Sequence, residues 1–457
     1  MTHHTPADYL AYVDRVWEGQ ASPVEHLSGQ WSDLGLIPVG ERTGLFTGFA
    51  NVAVFDTGDG LVMVDSGEWR TAERLYRAVR DQSAAPLTTV VFTHGHLDHV
   101  FGVHPFDAEA DRDGAVRPEV VAHEAVAARF DRYARTAGYN EAINRRQFKQ
   151  PRLTWPTEYR TPDTTYRDVL TLRRGDLTFE LVHARGETDD ATWVWIPELR
   201  TLCAGDLFIW SSPNAGNPQK VQRYAEDWAH ALRRMQELGA ETLLPGHGVP
   251  IVGADRVHRA LGDTASFLET LVEQTLELMN AGATLDTVLH TVKAPEELTR
   301  LPYLKPAYDE PEFVVRNLWR LYGGWYDQNP AHLKPAPEAE IAAELAALAG
   351  GAGALADRAR DLLAEGHDRL AAHLAEWAAQ AAPEEAGIAG VRAEVYEYRA
   401  RRATSTMAKG VFSWAASESR ATASGRGLLE VLSALPAGER ESMGAHIVAG
   451  GRKPVAE

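Results

Sequence analysis

The sequence predicts an α/β sandwich followed by an all-α region, and three observations carry that prediction. Between residues 34 and about 252, short β-branched runs alternate with amphipathic helical patterns. Strand pairs in that stretch are joined by Gly-Asp turns, as at Gly58-Asp59-Gly60 and Gly175-Asp176. Beyond Val252 the strand signals stop and long helical patterns take over. Alternating strands and helices followed by helices alone imply separate domains.

Residues 1–30 read as a short, weakly patterned helical arm. Strand-like runs follow at 52–55, 61–64, 89–93, 119–122, 177–182 and 193–196, with helical patterns at 69–80, 123–133 and 224–238 among them. Residues 140–168 are polar and contain Pro151, Pro156 and Pro162, the texture of a long insert of the kind that covers sites. Residues 255–280 read as one long helix stopped by Gly282. An aromatic-rich segment at 301–330 and a linker at Pro335-Ala336-Pro337 lead into Ala- and Leu-rich helices, broken at Gly350-Gly351-Ala352-Gly353 and near Pro383. The expected division is an arm over 1–30, a sandwich domain over 31–282, an all-α domain over 283–440 and a tail over 441–457.

The 457 residues carry 46 basic and 64 acidic side chains, a net charge of −18. That field repels phosphate backbones and anionic lipid, which argues against nucleic-acid and membrane-surface roles. No stretch approaches the ~18 uninterrupted apolar residues of a membrane span, and the N-terminus lacks a signal-peptide pattern. The expectation is a soluble cytoplasmic protein. The single cysteine, Cys203, excludes an internal disulfide and a thiolate metal cluster, and reads as a buried apolar-like residue.

The strongest chemical signal is Thr93-His94-Gly95-His96-Leu97-Asp98-His99, directly after a β-branched run. Four metal-capable side chains within six residues at a strand end can aim into one pocket. His94 and His96 can chelate one ion from an extended loop, while Asp98 and His99 start the next turn and face a second. Imidazole with carboxylate suits zinc, iron or manganese rather than calcium. Four residues cannot close two coordination spheres, and three further sites follow strand-like runs: Glu187 in Arg185-Gly186-Glu187-Thr188, Asp206 at the end of Thr201-Leu202-Cys203-Ala204-Gly205, and His247 in Pro245-Gly246-His247-Gly248.

That order of motifs resembles the metallo-β-lactamase superfamily, whose fold is an αββα sandwich with a dinuclear metal site. The resemblance implies that His94, His96 and Glu187 bind one ion, that Asp98, His99 and His247 bind the other, and that Asp206 bridges them. Asp65, in Val64-Asp65-Ser66-Gly67, matches the supporting aspartate that buttresses the His loop. Most of the superfamily has His where this chain has Glu187; glutamate there is a feature of the alkyl sulfatase branch, which hydrolyses sulfate esters of alcohols. The segment 301–330, with Pro302-Tyr303-Leu304 and Tyr322-Gly323-Gly324-Trp325-Tyr326-Asp327, resembles the dimerisation segment of the same enzymes. The resemblance therefore implies a homodimer. Longer relatives add a C-terminal sterol-carrier-like domain, which this chain is expected to lack, and Asp206 stands where the branch usually bridges with glutamate.

Two divalent ions bring +4 and the carboxylates Asp98, Glu187 and Asp206 bring −3, so a bridging hydroxide leaves a neutral core. The expected reaction is attack of a metal-bound hydroxide on a small anionic ester, with Asp206 and Asp98 as the catalytic carboxylates and two zinc ions (iron or manganese as alternatives) as cofactors. A monoanionic sulfate ester then needs orienting groups beyond the metals. Asn214, at the offset where the resembling family places a sulfate-contacting Asn, and Arg223 are the candidates, with Lys220 near them in sequence. Phe208 and Trp210, next to the bridging ligand, are expected to wall the leaving group. Trp193, Trp195 and His183 read as packing residues, and His123 as a surface or loop residue. The same site on another member of the superfamily serves lactone, thioester or phosphodiester hydrolysis, or iron redox chemistry.

Overall fold

The structure, a computed structural model, describes residues 4–434. The expected tail over 441–457 and the last residues of the expected helical domain lie outside the described residues. The chain divides into two compact units, one of residues 4–140 and 154–324, the other of residues 141–153 and 325–434.

The first unit holds two sheets. The seven-stranded sheet runs in sequence order β1 (Leu36–Gly40), β2 (Thr43–Phe46), β3 (Val52–Asp56), β4 (Leu61–Val64), β5 (Leu87–Val91), β6 (Glu119–His123) and β7 (Thr164–Tyr166), and its last four strands are parallel neighbours. The second contains β8 (Val169–Arg174), β9 (Leu177–His183), β10 (Thr192–Ile196), β11 (Thr201–Ile209), β12 (Thr242–His247) and β13 (Ile251–Val252), with a parallel pair at β11 and β12. Period-two alternation sorts each strand of the first sheet between two cores. Val52, Val54 and Met63 pack outward with Leu75, Val79, Phe106 and Phe130 of three covering helices. Ala53, Phe55, Val62 and Val64 face the inter-sheet core with Phe179 and Leu181, and the rings of Phe55 and Phe179 meet edge to face at 5.6 Å. Strands buried on both faces explain the near-continuous apolar runs that the sequence shows there.

Behind the second sheet lie the helices Ala225–Glu237 and Ala254–Asn280. Trp228 of the first is fully buried, and its indole N–H donates to the carbonyl of Leu207 on β11 at 2.7 Å. The architecture is thus the predicted αββα sandwich.

Three elements differ from expectation. The arm is a capped amphipathic helix, Pro6–Trp17, in which Thr5 and Asp8 form a reciprocal capping box. Its buried face, Tyr9, Tyr12, Val13 and Val16, joins the large core cluster of the first unit. The insert contains the helix Ala137–Phe148, whose buried face includes the amides Asn140, Asn144 and Gln147; an amide stripe leaves no apolar periodicity to read. Finally, the helices Leu285–Thr291 and Pro311–Gly323, expected in the second domain, pack in the first unit, where Val288, Val315, Leu318 and Trp319 join the core.

The second unit is helical. Glu338–Ala349, Ala352–Ala364, Asp368–Ala381 and Ala386–Arg402 meet through Ala359, Ala371, Ala375 and Ala378 interleaved with Leu355, Leu362, Ile388 and Val395. Among the described residues no single helix is long and apolar enough to cross a membrane.

Trp228→Ala is expected to lower unfolding free energy by about 3–5 kcal/mol, through a large cavity and an orphaned carbonyl behind β11; urea denaturation measures this.

Candidate metal centre

The His loop leaves β5 and turns into the short helix Leu97–Val100, so its four side chains converge from a single connection. Glu187 comes from the β9–β10 connection, Asp206 from within β11, and His247 from the end of β12. These seven residues form two groups. His94, His96, Glu187 and Asp206 present ligand atoms within 4.8 Å of one another, and Asp98, His99 and His247 do the same. Asp206 faces both: its Oδ2 lies 3.6 Å from His94 Nε2, while its Oδ1 lies 3.5 Å from His99 Nε2 and 3.2 Å from His247 Nε2. Asp98 Oδ2 is 3.3 Å from His247 Nε2 and 3.5 Å from His99 Nε2.

Backbone geometry makes this approach possible. The β11–β12 register shifts at Gly205, whose φ of +50° and close approach to Thr93 exclude a side chain. A Cβ on Gly246 would stand 2.1 Å from Asp206 Oδ1, so only glycine lets β12 pass the central carboxylate.

Hydrogen bonds fix which ring nitrogens face inward. His247 Nδ1 lies 2.7 Å from the carbonyl of Phe49, which can only accept, so the proton sits on Nδ1 and Nε2 is free to ligate. His99 Nδ1 is held the same way by Asp65 Oδ2 at 2.7 Å. Asp65 also accepts from the Thr93 amide at 2.7 Å and the Thr93 hydroxyl at 2.9 Å, from a left-handed backbone at φ +61°. It therefore ties the strand end, the loop and one imidazole together.

The electrostatics favour cations here. Burial, with the neighbouring His99, holds His94 down at about 3 and so neutral, the form that ligates. For His99 burial acts in the same sense, yet Asp65, Asp206 and Asp98 outweigh it and lift the imidazole to about 10; Asp206 and Asp98 likewise raise His247 to about 9 against burial. Positive charge is therefore stabilised where the second group converges. The buried atoms His99 Nε2, Glu187 Oε2 and Asp206 Oδ1 lack a well-formed hydrogen bond, which native interiors rarely tolerate. Mixed imidazole and carboxylate donors, two of them orphaned carboxylate oxygens, fit a pair of divalent metal ions.

Asn214 and Arg223 meet the centre through Glu187. The Asn214 amide donates to Glu187 Oε1, Arg223 Nη1 lies 2.5 Å from the same oxygen, and Arg223 also donates to the Asn214 carbonyl at 2.8 Å. Burial lifts Glu187 to about 7 even against Arg223. Lys220 is half-buried with its ammonium 5.5 Å from the Trp155 ring centroid; burial and then Arg223 lower it to about 7. Phe208 and Trp210, expected to wall the leaving group, are 1% and 4% exposed on a strand buried on both faces; their rings stand 6.3 and 6.1 Å from that of Tyr303, and the Trp210 indole donates to Val249 O at 2.6 Å. Trp193 and Trp195 are core, and Cys203 is buried. His183 stacks at 3.7 Å on His123, which is buried in β6 rather than exposed as expected.

Sequence reasoning passed over Arg129, on the helix Ala125–Arg135. It is 2% exposed and grips Asp190, with Nε 2.6 Å from Oδ2 and Nη2 2.9 Å from Oδ1, and it also reaches Asp189. Asp190 Oδ2 in turn accepts from the Gly95 amide at 3.1 Å, between His94 and His96. The consecutive aspartates 189 and 190 after Glu187 are the one sequence signal for this contact.

Comparison with known proteins agrees with this geometry. Residues 45–247 match the metallo-beta-lactamase superfamily, and residues 284–422 match the alkyl sulfatase dimerisation family. The chain thus carries a metallo-β-lactamase domain and an alkyl sulfatase dimerisation domain, a combination that fits the alkyl sulfatase branch. A linear primary-alkylsulfatase from a Pseudomonas species is 27% identical over 356 residues, 70% of this chain and 64% of the relative. An (R)-specific secondary-alkylsulfatase from Pseudomonas is 26% identical over 377 residues, 76% of this chain and 56% of the relative. The chain thus spans somewhat under two thirds of the length of these curated relatives. In fold it is similar to the stereoselective inverting sec-alkylsulfatase Pisa1 from Pseudomonas, with a TM-score of 0.74, 22% identity, and coverage of 86% of this chain and 66% of that one.

Asp65→Asn removes an anionic acceptor shared by His99 and Thr93, and metal affinity is expected to fall about 10- to 100-fold by zinc titration calorimetry.

Proposed function

We propose that the protein is a dinuclear metal-dependent hydrolase that cleaves sulfate esters of alcohols. The observation that carries this reading is the pair of ligand groups joined by Asp206, one of which contains Glu187 with Arg223 and Asn214 on it. The named activities of the alkylsulfatase relatives support the substrate class.

In this reading His94, His96 and Glu187 hold one ion, Asp98, His99 and His247 the other, and Asp206 both. Imidazole with carboxylate suits zinc. Two such ions, when bound, supply Lewis acidity and lower the pKa of water toward neutrality. The chain's own residues do the rest. Asp206, facing both groups, holds them at fixed separation, and Asp98 balances charge on the His247 side. Arg223 and Asn214 orient Glu187, and their position beside it places a guanidinium at the edge of an otherwise neutral core. With Lys220 beyond, that edge is where a sulfate monoanion is held. The surrounding apolar core keeps the dielectric low, which strengthens each of these interactions.

The match to an alkyl sulfatase dimerisation family over residues 284–422 supports a homodimer. Light scattering of the full chain is expected to give twice the monomer mass of 50.2 kDa.

The activity test is sulfate release, followed by ion chromatography, from short, long and secondary alkyl sulfates with zinc-loaded protein. Release is expected, and Asp206→Asn is expected to reduce it about 10³-fold or more, as loss of a group central to transition-state charge does. A zinc-replete protein that releases no sulfate from any member, yet opens lactones, thioesters or phosphodiesters, would place it elsewhere in the superfamily.

A further inference from the structure

A buried polar chain runs from the N-terminal helix to the His247 loop, and the proposed chemistry makes no use of it. Its members are Tyr9, in the helix Pro6–Trp17, His26, in the short helix Val24–Leu27, and Asn51, just before β3. Tyr9 and His26 are fully buried and Asn51 is 5% exposed.

Donor and acceptor roles along the chain follow from its far end. The Asn51 side-chain amide donates to two carbonyls, Pro245 O at 2.9 Å and Gly248 O at 2.8 Å. That fixes the amide orientation and leaves Oδ1 as an acceptor, 2.8 Å from His26 Nε2. The His26 proton is therefore on Nε2. Its Nδ1 is an acceptor, and the Tyr9 hydroxyl, 3.0 Å away, must donate to it. Burial keeps this imidazole neutral, as two-sided bonding of this kind requires. Tyr12 fixes the His26 backbone by accepting its amide at 3.1 Å while donating to Ser22 O at 2.7 Å.

The Asn51 backbone N–H also donates to Gly246 O at 2.9 Å. The carbonyls of residues 245, 246 and 248 are thus all held by one residue, and His247 Nδ1 is held by Phe49 O two residues earlier. Segment 49–51 grips the loop on both sides of the ligand. His26 braces that grip from behind, its Nε2 donating to Asn51 Oδ1 at 2.8 Å.

We propose that His26, oriented by Tyr9, is a positioning residue for His247, so that the N-terminal segment 4–31 acts as a clamp on the ion site formed by Asp98, His99 and His247. This rests on the dinuclear reading above. A general packing role would lower stability without distinguishing between the ions; a clamp on this loop weakens one ion and spares the other.

The test is zinc titration of the full chain against a competing chelator, with His94→Ala and His247→Ala assigning the two ions. In His26→Leu, affinity for the ion lost in His247→Ala is expected to fall about 10- to 100-fold, the other staying within about twofold. His26→Gln, which keeps a donor and an acceptor at the end of the side chain, is expected to recover most of the loss. Should His26→Leu not fold, Tyr9→Phe removes a single hydroxyl and is expected to weaken the same ion about threefold or more. Equal weakening of both ions, or a lower melting temperature with both affinities intact, overturns the clamp and leaves the dinuclear reading standing. A wild-type protein that binds fewer than two ions overturns both.

Discussion

The centre of this protein is a carboxylate that the fold buries among imidazoles. Asp206 lies inside a strand covered on both faces, its two oxygens turned toward different ligand groups. An isolated carboxylate there would carry a large desolvation penalty, so the site is stable only with cationic partners around it. The glycines that let β12 and Thr93 approach, and the inward-facing nitrogens of His99 and His247, follow from that single requirement. Each places positive charge, or the capacity to bind it, beside Asp206.

Around this core the loops are braced by residues that never reach the metals. Asp65 secures the start of the His loop and one imidazole. Arg129, through Asp190, secures its middle at Gly95. Asn51 secures the loop of His247, and Arg223 with Asn214 secures Glu187. Ligand loops are irregular backbone and would otherwise be the most mobile part of a sandwich. Fixing them beforehand means that ion binding does not have to order them.

How much of this the sequence could reveal depended on distance along the chain. The two candidate ligand groups were legible because His94, His96, Asp98 and His99 are compressed into one motif, and because Glu187, Asp206 and His247 each follow a recognisable strand. The sandwich was legible because its strands alternate between two cores with period two. The braces were not. Asn51 meets residues almost 200 positions away, and Arg129 meets Asp190 across 61, so no local pattern announces either. Helix 137–148 was hidden by amides on its buried face.

The bond between Arg223 and Glu187 also bears on how such a centre can change over generations. Replacing Glu187 by histidine would leave a 3%-exposed guanidinium facing an imidazole instead of a carboxylate. A buried charge deprived of its partner typically costs about 3–5 kcal/mol, a large share of a domain's net stability. The two positions are therefore epistatic: a lineage crossing between the glutamate and histidine forms of the ligand set must alter residue 223 first or at the same time.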